Sequence, residues 1–397
     1  MANDMLRIMK KSGKIVLYAK NFYLQQELRG ILDYARGHGW QLELPQMYGL
    51  PGHVRNWRGT GLLTDTAGYT EPLHAAGVKI VALSLDPKLT ENADAVVAPD
   101  NRRIGEIAAD YFLRRGHRNF AACRDVYGRD DAFAARLEPH GFSVRRIAMP
   151  RYYRSRKALE QLAAQLARLP RPAAVFCNND WEAVSVLNAA DLAGIPVPRG
   201  LAVLGVGNEE LICSTASPRL SSIDTRLYFR GLRAAEELDR VMEGAPPRDR
   251  PILIAPDQVV ERASSDFFAV ENRTLRTILE YLRRHTASPI RLGELQPRFH
   301  VSESTVRRLF HDGIGQSPKE FLNELRLNLA RARLIDSDDT IGAIAAECGF
   351  PSSAALYELF SRRYGQTPSA WRQNSVAGTR EALRPPLTLP TGSVPVR

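Results

Sequence analysis

Polar and aromatic residues that could hold a small, hydroxyl-rich ligand follow several apolar runs of the sequence. Carboxylate, amide and guanidinium groups fix hydroxyl groups by paired hydrogen bonds, and an aromatic ring can stack on the apolar face of such a ligand. If the apolar runs are strands of parallel sheets, their carboxyl ends share one edge, which is where ligands bind. The candidate ligand-binding residues at or soon after these ends are Asn21, Phe22, Asp65, Asp100, Arg129, Asp180 and Asn208.

Several of these residues also have a structural explanation. An aspartate that follows a strand often caps the next helix, so Asp65, Asp100 and Asp180 could serve that purpose instead. Phe22 could belong to the core. The residue types alone leave both explanations open.

The elements that must position these residues alternate regularly. Short apolar runs are separated by amphipathic segments, which is typical of βα units in a mostly parallel sheet. About 250 residues of this pattern exceed one small sheet, so we expect a two-lobed α/β domain over residues 14–265 with a ligand cleft between its lobes. The predicted strands lie within residues 14–19, 61–65, 78–84, 119–125, 172–178 and 201–208.

The last hundred residues contain an internal repeat with an offset of about 50. LFHDGIGQSPKEF (309–321) aligns with LFSRRYGQTPSAW (359–371). Each copy predicts a short helix, a tight turn and a second helix, capped by Ser302 in the first copy and by Ser352 in the second. The region 272–373 is therefore predicted to be an all-α domain with two helix-turn-helix motifs.

A connecting helix is predicted between the two copies. Ser317, Pro318 and Glu320 form a capping box with proline at the first helical position, and the helix continues to about Ile335. In the first copy, Pro297 is expected to shorten the first helix. Two second helices held apart by one stiff helix could enter successive major grooves of DNA, which lie about 34 Å apart. A plain helical bundle with a duplicated packing unit is the alternative.

The same region resembles the DNA-binding domain of the AraC/XylS family. The resemblance rests on RLNLARARLI (326–335), IGAIAAECGF (341–350) and FSRRYGQTPSAWR (360–372), which occur in that order. It implies that DNA is contacted by Ser302, Ser304, Thr305, Arg307 and Arg308 of the first motif, and by Ser353, Ala354, Tyr357 and Glu358 of the second. Because arginines can donate to guanine or phosphate, whereas Glu358 would repel phosphate, we expect the first motif to dominate specificity.

The α/β half resembles the sugar sensor of LacI/GalR repressors. The matching segments are VVAPDNRRIGEIAADYFLRRGHRNFA (96–121) and PAAVFCNNDWEAVSVLNAADLAGIPVPRGLAVLGVGNEEL (172–211). Arg129 lies four residues before Phe133, as does the sugar-gripping arginine of that family. The family usually has an aspartate that binds sugar at the position of Gly207, and this departure leaves the identity of the sugar open. A sensor followed by an AraC-type reader resembles regulators of xylose operons, so xylose is the first candidate effector.

Composition and charge limit the possible functions. The chain has 397 residues, a formal net charge of +10 and 44% apolar residues, which is typical of a globular protein with two or three domains and compatible with an anionic partner. Its four cysteines show no metal-ligand spacing, and we expect no metal or cofactor. No secretory signal or membrane span is evident, so a cytoplasmic location and no membrane partner are expected. Residues 374–397 are expected to be a disordered tail.

Together these patterns predict a sugar-controlled transcription regulator. We expect an activator of carbohydrate catabolism genes that forms a homodimer and has double-stranded operator DNA, a small sugar and RNA polymerase as partners. The alternatives are an α/β sugar-modifying enzyme and a pure sugar-binding protein. The sequence favours neither, because it contains no G-x-S-x-G motif, no Walker loop and no Ser/His/Asp set, and because a pure binding protein has no use for the repeated motif.

Overall fold

The computed structural model describes residues 13–20, 24–44, 57–150, 155–270, 272–288, 290 and 292–373. The chain divides into two compact units, Met1–Val270 and Glu271–Arg397, here called the N-terminal and the C-terminal unit. Each unit is described by itself.

The first lobe of the N-terminal unit is a six-stranded parallel sheet. Its strands are β1 (Ile15–Ala19), β2 (Gln41–Glu43), β3 (Gly61–Thr64), β4 (Lys79–Ala82), β5 (Ala95–Pro99) and β11 (Ile252–Ile254). They lie in the order β11-β5-β4-β3-β1-β2. The helices of this lobe are α1 (Gln25–Gly37), α2 (Thr70–Ala75), α3 (Pro87–Thr90) and α9 (Leu227–Met242), with a 3₁₀ turn at Ala67–Tyr69.

The second lobe is a six-stranded sheet with one antiparallel edge strand. Its strands are β6 (Asn119–Cys123), β7 (Val144–Ile147), β8 (Ala173–Phe176), β9 (Leu201–Val206), β10 (Ser221–Ile223) and β12 (Val259–Val260). Their order is β12-β10-β9-β8-β6-β7, and only β12 runs antiparallel to its neighbour. The helices are α4 (Asn101–Arg114), α5 (Arg129–Leu137), α6 (Arg156–Ala167), α7 (Asp180–Leu192) and α8 (Glu210–Thr215), with a 3₁₀ turn at Glu138–His140.

Each lobe is stabilised internally by buried strands and by close contacts between helices. Strands β3, β8 and β9 are buried along their whole length, as expected for strands covered by helices on both faces. Helix α9 returns to the first lobe and packs tightly on α1. A Cβ atom at Gly30 would lie 2.2 Å from the carbonyl oxygen of Tyr228, and one at Gly231 would lie 2.0 Å from that of Glu27. Glycine at both positions therefore permits the backbones to approach, which brings the first turn of α9 beside the first turn of α1.

The C-terminal unit is helical. It contains α10 (Arg273–Arg284), a 3₁₀ turn at Leu292–Glu294, α11 (Leu295–Phe299), α12 (Glu303–Ile314), α13 (Pro318–Asp336), α14 (Ile341–Glu347), α15 (Ser353–Tyr364) and a short helix over 368–373. Helices α11–α12 and α14–α15 form the two repeated motifs, and α13 connects them. The predicted capping box of Ser317 and Glu320 is present at the start of α13.

The fold class predicted from the sequence is confirmed: two α/β lobes precede a helical unit with two helix-turn-helix motifs. Helix α11 has only five residues, in agreement with the shortening expected from Pro297. The predicted tail, 374–397, lies outside the described residues. Among the helices that are described, none has the length and apolar character needed to cross a membrane.

Candidate ligand cleft and nucleic-acid interface

A buried ionic cluster lies at the carboxyl end of β1 in the first lobe. Glu27 is fully buried on the first turn of α1, and its Oε1 accepts hydrogen bonds from Lys20 Nζ (2.8 Å) and from the Tyr18 hydroxyl (2.7 Å). Its Oε2 accepts from the guanidinium of Arg230 on α9. Burial alone would raise the pKa of Glu27, but the positive charges of Arg230 and Lys20 outweigh burial and lower that pKa to about 2.

Asp65 extends this cluster toward the second lobe. It follows β3, and its Oδ2 lies 3.3 Å from Lys20 Nζ. Tyr127, in the loop before α5 of the second lobe, has a hydroxyl whose pKa is raised by burial and then by Asp65 and Asp86 of the first lobe. Asp65 therefore lies at the face where the two lobes meet, as expected for a cleft residue.

Arg129 occupies the corresponding face of the second lobe, at the first position of α5. Its Nε donates to Asn101 Oδ1 (2.8 Å), its Nη1 donates to the Asn178 carbonyl, and its backbone N–H donates to Asp125 Oδ2 (3.1 Å). Nη2 makes no hydrogen bond within the described part of the chain. Burial lowers the pKa of Arg129, and the positive charge of Arg230 on the first lobe lowers it further. The guanidinium is thus held in one plane, and Nη2 is the donor nitrogen left for a ligand.

Glu182 is a titratable group near Arg129 on this face. It lies in the first turn of α7, where its Oε2 accepts from the backbone N–H (3.3 Å) and the side-chain amide (3.0 Å) of Asn178. Burial raises the pKa of Glu182 to about 7, and the negative charge of Asp125 adds to the rise. The carboxyl therefore changes its charge near neutral pH.

Asp180 is buried and its oxygens are bound by protein groups. Oδ1 accepts from Ser222 Oγ (2.5 Å) and Oδ2 from the backbone N–H of Glu209 (2.9 Å), and only 2% of the residue is exposed. Asn208, beyond the end of β9, donates from Nδ2 to Asp224 Oδ2 (3.4 Å) and accepts from Arg262 Nη2 (3.0 Å). These contacts place both residues at the carboxyl end of the second sheet, with Asp180 beneath the surface.

The other predicted ligand residues differ in position. Asp100 is the N-cap of α4, and its Oδ1 accepts from the backbone N–H of Arg103 (3.0 Å), as in the capping alternative. Asn21 and Phe22 lie outside the described residues. The structure therefore brings Asp65, Arg129, Asp180 and Asn208 to the carboxyl ends of strands, and whether each binds ligand stays a prediction.

Sequence reasoning missed several residues of the cleft. Glu27 and Arg230 are 203 positions apart, and Glu27 lies in a helix rather than at a strand end, so no local signal reveals their ion pair. Asn178 ends the predicted strand 172–178 and Asn101 directly follows the candidate residue Asp100, so both could have been predicted from their positions. Glu182 could have been found as an acidic residue in the first turn of the helix after β8.

The first helix-turn-helix motif presents a helix with two exposed arginines. Ser302 caps α12 by accepting from the backbone N–H of Thr305 (3.1 Å), and Ser304, Arg307 and Arg308 are exposed on the helix. Arg307 forms an ion pair with Glu303, one turn earlier, and its side chain is 73% exposed. An exposed pair of this kind contributes little free energy, so Arg307 can exchange Glu303 for a base or a phosphate at small cost.

The second motif is similar in fold but different in charge. Ser352 caps α15 by accepting from Ala355 N–H (3.2 Å), and Ser353, Ala354 and Glu358 are exposed. The Tyr357 hydroxyl is already hydrogen-bonded to Ser369 Oγ (2.6 Å), so it must give up or share this bond to contact DNA. The first two turns of α15 contain no lysine or arginine, whereas the same turns of α12 contain Arg307 and Arg308.

Two family descriptions match the chain. Residues 109–265 match a periplasmic binding protein-like domain. Residues 296–374 match a helix-turn-helix domain. The first match covers most of the second lobe together with α9 and β11 of the first lobe, and the second match covers the two repeated motifs.

Several curated proteins are similar to the chain. The xylose operon regulatory protein of Escherichia coli K12 is 24% identical over 379 residues, covering 90% of this chain and 96% of that protein. The protein of the same name from Haemophilus influenzae is 26% identical and covers 70% of this chain and 74% of that protein. A transcriptional activator, RhaS of Escherichia fergusonii, is 34% identical over 166 residues, which are 41% of this chain and 60% of the activator.

Solved structures share the fold. A structure described as a xylose-binding transcription activator is 23% identical and covers 91% of this chain and 98% of its own, with a TM-score of 0.53. A LacI family transcriptional regulator from Arthrobacter, in complex with lactose, is 22% identical and covers 64% of this chain and all of its own, with a TM-score of 0.55. At these levels of identity, the similarity to solved structures describes the fold alone.

Proposed function

We propose that this chain, which joins a periplasmic binding protein-like domain to a helix-turn-helix domain and is homologous to xylose operon regulatory proteins, activates carbohydrate catabolism genes in response to a sugar. A sugar-responsive, DNA-binding transcription regulator is the function that the relatives support, and those relatives are regulators rather than enzymes. That the protein activates transcription, and that its targets are carbohydrate catabolism genes, are our own additions to this function. We assign residues 14–265 to the sensor and 272–373 to the DNA reader.

The proposal that residues 14–265 bind a sugar is supported chiefly by the fixed position of the Arg129 guanidinium. Asn101 and the Asn178 carbonyl fix its plane, and within the described ranges Nη2 is left without a hydrogen bond. A fixed guanidinium nitrogen near the carboxyl group of Glu182, with Asp65 on the facing lobe, suits vicinal hydroxyl groups, which donate to carboxylates and accept from guanidinium. We propose D-xylose as the effector, with Asp65, Arg129 and Asn208 as direct contacts, Glu182 as an acceptor for a sugar hydroxyl beside Arg129, and Asn21 and Phe22 as further candidates.

The reader part is supported by the exposed arginines of α12. Arg307 and Arg308 are exposed, and arginine side chains can donate to guanine or phosphate; Ser304 and Thr305 lie near the start of the same helix. Helix α13 has 19 residues and is therefore about 28 Å long, a suitable length to separate two grooves. Ser353, Ala354 and Glu358 of α15 would add weaker contacts.

A continuous element joins the cleft to the segment that leads toward the reader. Helix α4 begins at Asn101, which holds Arg129, and is followed by Arg115, which is 6% exposed. Arg115 forms an ion pair with Glu261, and its guanidinium lies 4.5 Å from the Tyr111 ring centroid and 5.1 Å from that of Phe268. A shift of α4 on sugar binding would therefore displace the residues that contact Arg115 within 261–268. We propose that the effect of sugar binding is transmitted along this route.

The protein is proposed to act in the cytoplasm as a homodimer that contacts RNA polymerase at its promoters. Two copies would present two readers to paired half-sites, the usual arrangement for operators with two-fold symmetry. Sugar must bind one arrangement of the dimer better than the other for any switch to occur.

The test is calorimetry on the purified chain with D-xylose, L-arabinose, D-ribose and D-xylose 5-phosphate. We expect D-xylose to bind with a Kd in the micromolar to millimolar range, about −8 to −4 kcal/mol, and Arg129→Ala to lose that binding. Absence of binding by all four compounds would remove the sensor proposal.

A further inference from the structure

The turn after β9 has a backbone that few residues adopt. Gly207 has a φ of +127° and Asn208 a φ of +54°. A Cβ atom at Gly205 would lie 2.4 Å from Asp180 Oδ1, and one at Gly207 would lie 3.2 Å from Asp180 Oδ2. Glycine at these positions leaves room for the Asp180 carboxylate. An aspartate at position 207 would place a second buried carboxylate against the first, which like-charge repulsion disfavours.

Asp180 lies in that space and fixes the backbone of Glu209, the residue that follows Asn208 in the turn. Its Oδ2 accepts from the backbone N–H of Glu209 (2.9 Å), while Ser222 Oγ binds Oδ1 (2.5 Å) and holds the carboxylate in place. The position of the Glu209 backbone therefore depends on Asp180.

Glu209 then reaches the other lobe. Its Oε2 accepts from the backbone N–H of Gln25 (3.3 Å), in the first turn of α1. Leu24, the N-cap of α1, offers no side-chain oxygen to this helix end. The first amides of a helix have no partner within the helix, so the carboxylate from the second lobe supplies the missing acceptor. Glu209 is 5% exposed, and its Oε1 is buried without a hydrogen bond in the described part of the chain.

The hydrogen bond to the Gln25 amide requires an acceptor oxygen on residue 209 more than it requires a negative charge there. Burial raises the pKa of Glu209 to about 6, the Gln25 amide opposes the rise, and the negative charges of Asp180 and Glu27 add to it. The surroundings therefore disfavour the ionised carboxyl relative to water. An uncharged oxygen of the same shape can serve the same helix end.

We infer that Glu209 latches the two lobes of the N-terminal unit across the cleft by capping α1, and that Asp180 is the residue that positions it. Both act on the effector through lobe closure rather than by touching it. The consequence for effector affinity rests on the proposed function, whereas the latch itself does not.

Hydrogen exchange on the full chain tests the latch without any ligand. In Glu209→Ala, we expect the amides of Gln25 and Gln26 to exchange about five- to tenfold faster, the effect of losing one hydrogen bond. Glu209→Gln keeps an acceptor oxygen and should restore protection to within about twofold of wild type. Asp180→Asn should accelerate the same amides, while amides of β8 report that the lobe stays folded. Glu210→Ala is the matched control, because Glu210 pairs with Arg262 and is exposed.

D-xylose binding kinetics add the functional readout. Faster dissociation in Glu209→Ala, with rescue by Glu209→Gln, is the expected result. Unchanged exchange at Gln25 and Gln26 in Glu209→Ala would overturn the latch. Weaker sugar binding with unchanged exchange would equally overturn it, because Glu209 would then contact the sugar directly. If wild type binds no sugar, the proposed effector fails while the exchange data still decide the latch.

Discussion

The N-terminal unit buries its key charges in pairs, whereas the C-terminal unit exposes the charges of its first recognition helix. Glu27 is fully buried and Lys20 is 4% exposed, while the side chain of Arg307 is 73% exposed. The buried groups have their partners before any ligand arrives. Arg307, by contrast, makes an exposed ion pair with Glu303 that a base or a phosphate can replace at small cost.

This difference teaches how each half recognises its partner. A cleft lined by buried, hydrogen-bonded charges is preorganised, so its affinity depends on the protonation of its members and little on salt. A surface of exposed cations binds phosphates with release of counterions, so its affinity falls steeply with salt. The predictions below test this contrast in order of decreasing effect.

Removing the centre of the buried cluster should cause the largest change. Glu27→Ala leaves Lys20 and Arg230 buried without their shared carboxylate, and a broken buried pair costs about 3–5 kcal/mol of unfolding free energy. Urea unfolding followed by circular dichroism measures this loss. Glu243→Ala, whose exposed carboxylate pairs with Lys14, should change stability by less than about 1 kcal/mol. Equal effects of the two substitutions would contradict the contrast between buried and exposed charges.

Arg129 should dominate effector binding. Arg129→Ala removes a charge-assisted donor edge, so we expect sugar affinity to fall by about ten- to a hundredfold, corresponding to about 1.5–3 kcal/mol. Arg129→Lys keeps the charge but lacks the planar fork and should recover only part of the loss. Calorimetry measures both variants. Affinity for DNA without sugar should stay within about twofold, because Arg129 lies in the other unit.

The first motif should carry more DNA specificity than the second. Arg307→Ala and Arg308→Ala are each expected to cost about 1–3 kcal/mol at a specific operator, and Arg307→Ala should relax one base position. Each should also reduce the slope of log K against log salt if the arginine contacts phosphate. Fluorescence anisotropy with wild-type and single-base-changed operators measures these effects. An unchanged affinity in both variants would remove α12 from the interface.

Effector affinity should depend on pH near neutrality. The pKa of Glu182 is raised to about 7 by burial, with Asp125 adding to the rise. A sugar hydroxyl that donates to the ionised carboxyl stabilises the charged form, so binding releases a proton and weakens as pH falls through 7. Between pH 7 and pH 6 we expect about a fivefold loss. Glu182→Gln should remove this dependence, and a pH-dependent variant would show that another group titrates.

The second motif should give the smallest effect. Glu358 is exposed on α15, where a negative charge opposes phosphate, so Glu358→Gln should strengthen DNA binding by about 0.5 kcal/mol at most and slightly increase the salt dependence. A large loss in this variant would mean that Glu358 accepts from a base, in particular from a cytosine amine.

Continuous apolar runs predicted the buried strands β1, β3, β4, β6, β8 and β9, whereas β2, β5, β7, β10, β11 and β12 were not among the predicted strands. The capping box at Ser317 follows from local chemistry and was readable from the sequence, as was the tight turn of the second motif, in which Gly349 has a φ of +77°. The site was only partly readable. Arg129 and Asp65 lie after strands, as expected, whereas Asp180 is buried beneath the turn that it organises. Glu27 and Glu209 depend on partners about 200 positions away, which no spacing rule reveals.

The most direct test of the account is the effect of sugar on DNA affinity in the intact chain. DNA selected from a random pool by the protein itself would be labelled and titrated with and without saturating D-xylose. We expect the sugar to change the Kd for that DNA by about 5- to 150-fold, and saturating DNA to change the Kd for the sugar by the same factor. Sugar binding that leaves the DNA affinity unchanged, or the absence of any preferred DNA sequence, would contradict a sugar-responsive regulator.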